Sequence, residues 1–344
     1  MASHALDPSS LVTFGSAAAG HDGVLSDSSG TLVIKPCTPA EIAFYESANT
    51  SHPDLAAYMP LYMGTLQLSA PDAAAASTAS TGDEVGTAAS LALSDPGPLK
   101  GKKLDTGVSI VLENVAAGFR KPNIMDIKLG ARLYDDSTKP EKRARLDKVA
   151  AETTSSSLGF RIAGMRTWLG GEDSMAERDG DDTISFEAGS GYKLFNKLYG
   201  RKFAAENVVD AFREYVLVPS AGVSKVQAAN CVQRFIRDLK DLQQIFEKIE
   251  SRMYSASILL VYEGDPDAYA AATKAETEYS AQEEMQEDDE EEEEEAPPKI
   301  AVVKLIDFAH ASWTPGQGPD ENLLQGVRST IRIMEELAAE LGTS

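Results

Sequence analysis

"KPNIMDIKLG", residues 121–130, is the stretch from which the chain is best read. In extended backbone, side chains two apart share a face, so Asp126 and Lys128 lie on one side while Met125, Ile127 and Leu129 turn to the other, towards a core. Pro122 suits the start of a strand because it has no N–H to give to a ladder, and Gly130 lets the chain leave at positive φ. The pattern predicts a strand that holds an acid and a base side by side on a rigid support. A half-exposed structural ion pair and a working pair both fit these ten residues.

Outward from this strand, apolar runs flank two biased segments. "LYMGTLQL" and "GVSIVLENV" bracket residues 69–106, which are rich in Ala, Ser, Thr and Gly without a sustained period; "SILLVYEG" and "AVVKLIDFAH" bracket residues 265–298, which start with a short helical stretch and pass into "EDDEEEEEEAPP". Both segments read as disordered insertions joining neighbouring strands, and long tips are tolerated because closure entropy grows only logarithmically. Helices are expected over 139–151, 205–216, 224–251 and 320–341. In the third, Val232, Phe235, Ile236, Leu239, Leu242, Ile245, Phe246 and Ile249 follow the three/four spacing of one buried stripe. Towards the N-terminus, "GHDGVLSDSSGTLVIKPC" predicts a hairpin, and "TPAEIAFYES" a helix with Thr38 as N-cap, Pro39 at N1 and Glu41 at N3. Strands and helices mix without a regular βαβ rhythm, which favours an α+β fold.

The 344 residues are 42% hydrophobic, enough for a sizeable core. Thirteen acids and no base fall between Glu276 and Glu295, so much of the net charge of −22 sits there and the remainder is only mildly acidic. A polyanion can therefore still bind where bases converge. The acidic tract itself reads as a solvated linker or as bait for basic proteins. Direct nucleic-acid binding is not expected. Cys37 and Cys231 with no secretory signal in "MASHALDPSSLVTF" suggest a reducing, intracellular setting, and no apolar run reaches the roughly 20 residues of a membrane helix. None of the four histidines lies at metal-ligand spacing from a cysteine, which disfavours structural zinc. A monomer is expected.

Two more places carry chemistry. Asp307 ends the apolar run Val302–Ile306, where a carboxylate can hold Mg²⁺ or simply close a turn. Lys35 ends "LVIK" with Glu41 on the helix beyond it: either a phosphate-directed lysine steadied by an acid, or a surface pair of little worth. A lysine, a metal carboxylate and an Asp/Lys strand together ask for phosphoryl transfer. There is no GxxxxGK[ST], "GSGYKL" at 189–194 lacks the third glycine of GxGxxG, and no HRD loop occurs.

"PNIMDIKLG" resembles the PxxxDxKxG signature of the inositol polyphosphate kinase family, with Pro122, Asp126, Lys128 and Gly130 in place. "SASILLVYEG" (255–264) is similar to that family's SSLL segment and keeps Ser257; "IDFAH" (306–310) is similar to its metal motif. "SSSLGFRIAGM" (155–165), "YGR" (199–201) and "DENLLQGV" (320–327) also resemble family stretches. The likeness runs from about residue 20 to 341 apart from the insertions. It implies a two-lobed, protein-kinase-like fold, with an N-lobe over 1–115 and a C-lobe over 116–344 that carries substrate-binding helices in 131–202. It further implies ATP and Mg²⁺ as cofactors and inositol polyphosphates as acceptors.

By matching motif, Lys35 would contact ATP phosphates with Glu41 steadying it. Backbone groups at Glu113 and Val115 would take adenine, and Asp126 the ribose hydroxyls. Lys128 would bridge the phosphoryl group and the acceptor, Asp307 would bind Mg²⁺, and His310 would stand at the acceptor's mouth. "KPEKRARLDK" offers Lys142, Arg145 and Lys148 as a drifting stripe, and the resemblance gives Lys142 and Arg145 to the substrate. Size and the acidic insertion resemble the family's fungal multikinase branch, with the hexakisphosphate kinases second and a non-catalytic transcription-cofactor role through the acidic tract as a different class. Phosphoinositide head groups count as a further acceptor, and nucleus and cytoplasm as the expected location.

Overall fold

A computed structural model describes residues 11–15, 18, 23–67, 107–171, 180–283 and 298–342. The expected insertion at 69–106 lies outside the described residues, as does the acidic run at 284–297. In chain order the elements are β1 (Val12–Thr13), β2 (Leu25–Ser26), β3 (Leu32–Pro36), α1 (Pro39–Ser51), α2 (Pro53–Ala56), β4 (Tyr62–Gln67), β5 (Val108–Glu113) and β6 (Pro122–Leu129). Next come α3 (Pro140–Ala151), α4 (Thr154–Leu158), β7 (Phe160–Trp168), β8 (Ile184–Glu187), β9 (Tyr192–Phe195), α5 (Val209–Val216) and α6 (Lys225–Phe246). The chain closes with β10 (Ser251–Met253), β11 (Ser257–Glu263), α7 (Pro266–Glu283), β12 (Ala301–Ile306), β13 (Ala311–Trp313) and α8 (Glu321–Glu340).

The described residues form two large antiparallel sheets, a five-stranded one in the order β1-β2-β3-β5-β4 and a six-stranded one in the order β12-β11-β6-β7-β9-β8, and a two-stranded pairing of β10 with β13. The strands expected to border the insertions do pair, β4 with β5 and β11 with β12. Thr38 caps α1, accepting the Glu41 amide at 3.2 Å, and Pro39 follows it. Along α6, Val232, Phe235, Ile236, Leu239, Leu242 and Phe246 are buried against a core shared with α8 and the six-stranded sheet.

Four expectations need correction. Residues 265–298 are not an insertion throughout, because α7 occupies 18 of them. Asp265 Oδ1 caps it by accepting the amides of Asp267 and Ala268, both at 3.0 Å, Ala272 is buried, and the Arg234 guanidinium of α6 holds Glu276. Segment 131–202 holds the helices α3 and α4 but also strands β7 to β9, because a long strand and a hairpin complete the sheet beside β6. The helix expected over 224–251 ends at Phe246, since residues 251–253 pair with β13, and the one at 205 begins at Val209 because Asn207 Oδ1 takes the Ala204 amide at 2.8 Å and shapes a turn.

Rings join α1 to the segment after β12. Phe44 stacks on Phe308 (centroids 5.0 Å apart) and on Trp313 (4.7 Å), His52 stacks on Trp313 at 4.0 Å, and Trp313 Nε1 donates to Ser47 Oγ at 2.8 Å. Each such aromatic pair contributes about 0.5–1.5 kcal/mol beyond the area it buries.

Candidate active site

β6 sits centrally, between β11 and β7. Met125, Ile127 and Leu129 are fully buried on one face. On the other, Asp126 is 4% exposed and Lys128 half-buried. Gly130 ends the strand with φ of +93°, and a Cβ there would lie 2.5 Å from Asn322 Nδ2, so both conformation and space demand glycine.

Asp307 gathers the cluster. Lys35 Nζ lies 2.8 Å from its Oδ1 and 2.9 Å from Oε1 of the fully buried Glu41. Lys128 Nζ lies 3.7 Å from Asp307 Oδ2 and donates to the Ser255 carbonyl at 2.8 Å. Burial alone would push the Lys35 pKa down, but Asp307 and Glu41 outweigh it and raise it well above the ordinary lysine value, so this lysine stays cationic. Asp307 (φ 70°) and Ser255 (φ 62°) are the described non-glycine residues with left-handed backbone, and both touch Lys128. Such conformations cost of order 1–3 kcal/mol and persist where the surroundings enforce them.

A cleft between the two sheets is lined by Val33, Lys35, Tyr45, Leu112, Glu113, Asn114, Val115, Ala116, Ile124, Asp126, Leu259, Ile306 and Asp307. Apolar walls interrupted by Lys35, Glu113, Asp126 and Asp307 suit a nucleoside with its phosphates. The linker after β5 is fixed by Asn114, whose amide donates to the Thr31 carbonyl and whose Nδ2 donates to the Gly30 carbonyl, both at 2.7 Å. The Val115 amide makes no hydrogen bond among the described residues and is available to a ring nitrogen. For Mg²⁺ the Asp307 carboxylate on the cleft lining is a fitting donor, because a Mg²⁺ that keeps phosphates and waters needs only one or two carboxylates. Ser257 faces Ile306 in the strand register, and its fully buried Oγ has no hydrogen-bond partner.

The remaining expected residues are spread around this core. His310 is largely exposed, with Nδ1 2.7 Å from Asp135 Oδ2. Lys142 and Arg145 stand exposed on α3 and make no ion pair among the described residues, so the fold does not join them to the cluster. The sequence-based expectations omit Tyr45, Lys304 and Asp135. Tyr45 is buried beside Lys35, its hydroxyl pKa raised by burial. Lys304 Nζ lies 3.7 Å from Glu113 and donates to the carbonyls of Ala57 (2.9 Å) and Met59 (3.0 Å), which ties the linker to β12. A lone lysine in the apolar run "AVVKLID" was a readable signal for it. Asp135 had none, since its partner lies 175 residues away in sequence.

A kinase-like pair of sheets with lysines and one aspartate at their junction defines a phosphotransferase class, and the family model for "Inositol polyphosphate kinase" matches residues 109–335. The chain belongs to the inositol polyphosphate kinase family. It is 35% identical to the inositol polyphosphate multikinase of Saccharomyces cerevisiae over 92% of this chain and 95% of that protein, and 29% identical to that of Schizosaccharomyces pombe over 93% and 95%. It is also 28% identical to mouse inositol hexakisphosphate kinase 3, over 66% of this chain and 50% of that one. Among solved structures, the S. cerevisiae inositol phosphate multikinase in complex with ADP and Mn²⁺ matches with a TM-score of 0.65 and 31% identity, over 90% of this chain and 99% of that one.

Proposed function

We propose that the protein is an ATP- and Mg²⁺-dependent kinase that phosphorylates hydroxyls of inositol polyphosphates, taking a trisphosphate to tetrakis- and pentakisphosphates. The observation that carries this is the convergence of Lys35, Glu41, Asp307 and Lys128 at one end of an apolar cleft. In this reading Glu113 and Val115 present backbone groups to adenine and Asp126 accepts from the ribose hydroxyls. Lys35, kept charged by its two acids, donates to ATP phosphates. Mg²⁺, held by Asp307 with Ser257 Oγ close by, supplies charge neutralisation to the phosphates. Lys128 lies between Asp307 and the acceptor side, where its ammonium can follow charge as it develops on the moving phosphoryl group. His310, oriented by Asp135, and Lys142 and Arg145 face the acceptor.

The test is incubation with inositol trisphosphate and Mg·ATP, with products resolved by anion-exchange chromatography. Tetrakis- and pentakisphosphate are expected. Conversion of inositol hexakisphosphate to pyrophosphates with no action on the trisphosphate would overturn the multikinase reading. The whole-length likeness to multikinases, against partial coverage of hexakisphosphate kinases, supports the former. A parallel incubation with phosphatidylinositol bisphosphate asks whether lipid head groups are also accepted.

A further inference from the structure

Lys304 is the one charged residue in the apolar run "AVVKLI" of β12. In the strand register it faces Leu259, which in turn faces Asp126, and directly opposed residues of antiparallel strands share a face. Lys304 therefore leaves the sheet on the side where Leu259 and Asp126 line the cleft. From there it crosses to elements of the five-stranded sheet: Nζ donates to the carbonyls of Ala57 at 2.9 Å and Met59 at 3.0 Å and lies 3.7 Å from Glu113 Oε1. Backbone bonds run alongside, from the Leu305 amide to the Tyr58 carbonyl at 2.7 Å and from the Glu113 amide to the Leu61 carbonyl at 3.0 Å. β12, residues 57–61 and the last residue of β5 are thus one hydrogen-bonded block.

An ammonium is a costly choice for this position. Only 16% of the side chain is exposed, burial pushes its pKa down against the pull of Glu113, and no other carboxylate of the described residues pairs with it. An apolar side chain would hold two packed segments together without that desolvation. What the lysine adds is direction: acceptors from two separate segments converge on one nitrogen, so Glu113 cannot shift along the cleft without disturbing them. The linker beyond is fixed separately, by Asn114 to the carbonyls of Gly30 and Thr31 and by the Ala116 amide, which donates to Asn114 Oδ1 at 3.0 Å. These anchors set the backbone groups of Glu113 and Val115 that the proposed function gives to the base. A 6-aminopurine presents a donor beside an acceptor where a 6-oxopurine presents the reverse. A backbone held in one place matches the first and rejects the second, whereas one free to slide tolerates both.

We propose that Lys304 is a positioning residue for nucleobase selection, holding the Glu113 end of the linker where its backbone accepts a 6-aminopurine and rejects a 6-oxopurine. This rests on the kinase reading above and extends it to the choice of phosphoryl donor. The test compares Lys304→Met with the wild type in two assays: steady-state transfer to inositol trisphosphate from Mg·ATP or Mg·GTP, and calorimetric titration with Mg·ADP or Mg·GDP, which needs no acceptor. The wild type is expected to prefer adenine in both. Lys304→Met should lower that preference about tenfold or more, with the KM for the trisphosphate unchanged within about twofold. If Lys304→Met loses melting temperature, Glu113→Gln decides, since it removes the carboxylate charge alone and should lower the preference about threefold or more. A wild type without base preference overturns the role, and so does a preference left unmoved by the deciding variant, an equal loss for both bases included. A preference that falls in the titrations, with no transfer to the trisphosphate by the wild type, would support the role of Lys304 and overturn the kinase reading instead.

Discussion

Around the cleft the sheltered lysines meet carboxylates: Lys35 has Glu41 and Asp307, and Lys304 has Glu113. Elsewhere Arg161, which faces Lys128 across the β6/β7 pair, and the exposed Arg201, Lys142 and Arg145 form no ion pair with a carboxylate of the described residues. Under the proposed function the contrast separates what each group would receive. A nucleotide that arrives with a divalent metal is already part-neutralised, so its seat needs position more than charge. A bare polyanion brings its charge uncompensated, and its seat must keep cations unspent.

Substitutions can break or sharpen that contrast. Asp307→Asn removes the carboxylate common to both lysines; turnover measured with saturating Mg·ATP is expected to fall on the order of 10³-fold or more, and near-normal activity would refute the metal assignment. Lys128→Ala should lower kcat by about 10²–10³-fold while nucleotide affinity, read by ADP titration, stays within a few-fold. Loss of nucleotide affinity alone would move Lys128 to the ATP side. Glu41→Gln takes one acid from Lys35, and an approximately tenfold rise in the KM for ATP with little change for the acceptor would locate its effect on the paired side.

Asp135 gives a smaller effect with a pH signature. Burial would raise its pKa, but hydrogen bonds from Ser137, His310 and Thr138 outweigh it and hold the carboxyl well below the ordinary value of 3.8. Its stabilisation is therefore complete above that value and drains away as pH falls below it. The difference in melting temperature between wild type and Asp135→Asn should narrow as pH drops from about 6 to about 3; a constant difference would show that the carboxylate is not the stabilising form. The smallest change expected is Glu276→Ala, which frees α7 from Arg234 and should lower stability by about 1 kcal/mol or less without touching turnover.

Residues that announce themselves locally were legible. The β6 strand, the Thr38 cap and the buried stripe of α6 follow from spacing alone, and Lys35, Glu41, Lys128 and Asp307 could be singled out as acids or bases at the ends or breaks of apolar runs. Other features depend on contacts between distant segments. An alanine-rich stretch before an acid run reads the same whether helical or loose, and what anchors α7 is Arg234, far back on α6. Arg161 stands opposite Lys128 only because β7 carries one extra residue against β6, with Asp126 facing Gly164 and Ile127 facing Ile162; no spacing within either strand foretells that bulge.

The stacked rings of Phe44, Phe308, Trp313 and His52 have a consequence for timing. Glu41 rides on the helix those rings clamp, so it cannot retreat from Lys35 without prying them apart. Formation of the Lys35–Glu41 pair is thereby coupled to the packing of α1 on the segment after β12, so the pair is acquired as the chain folds.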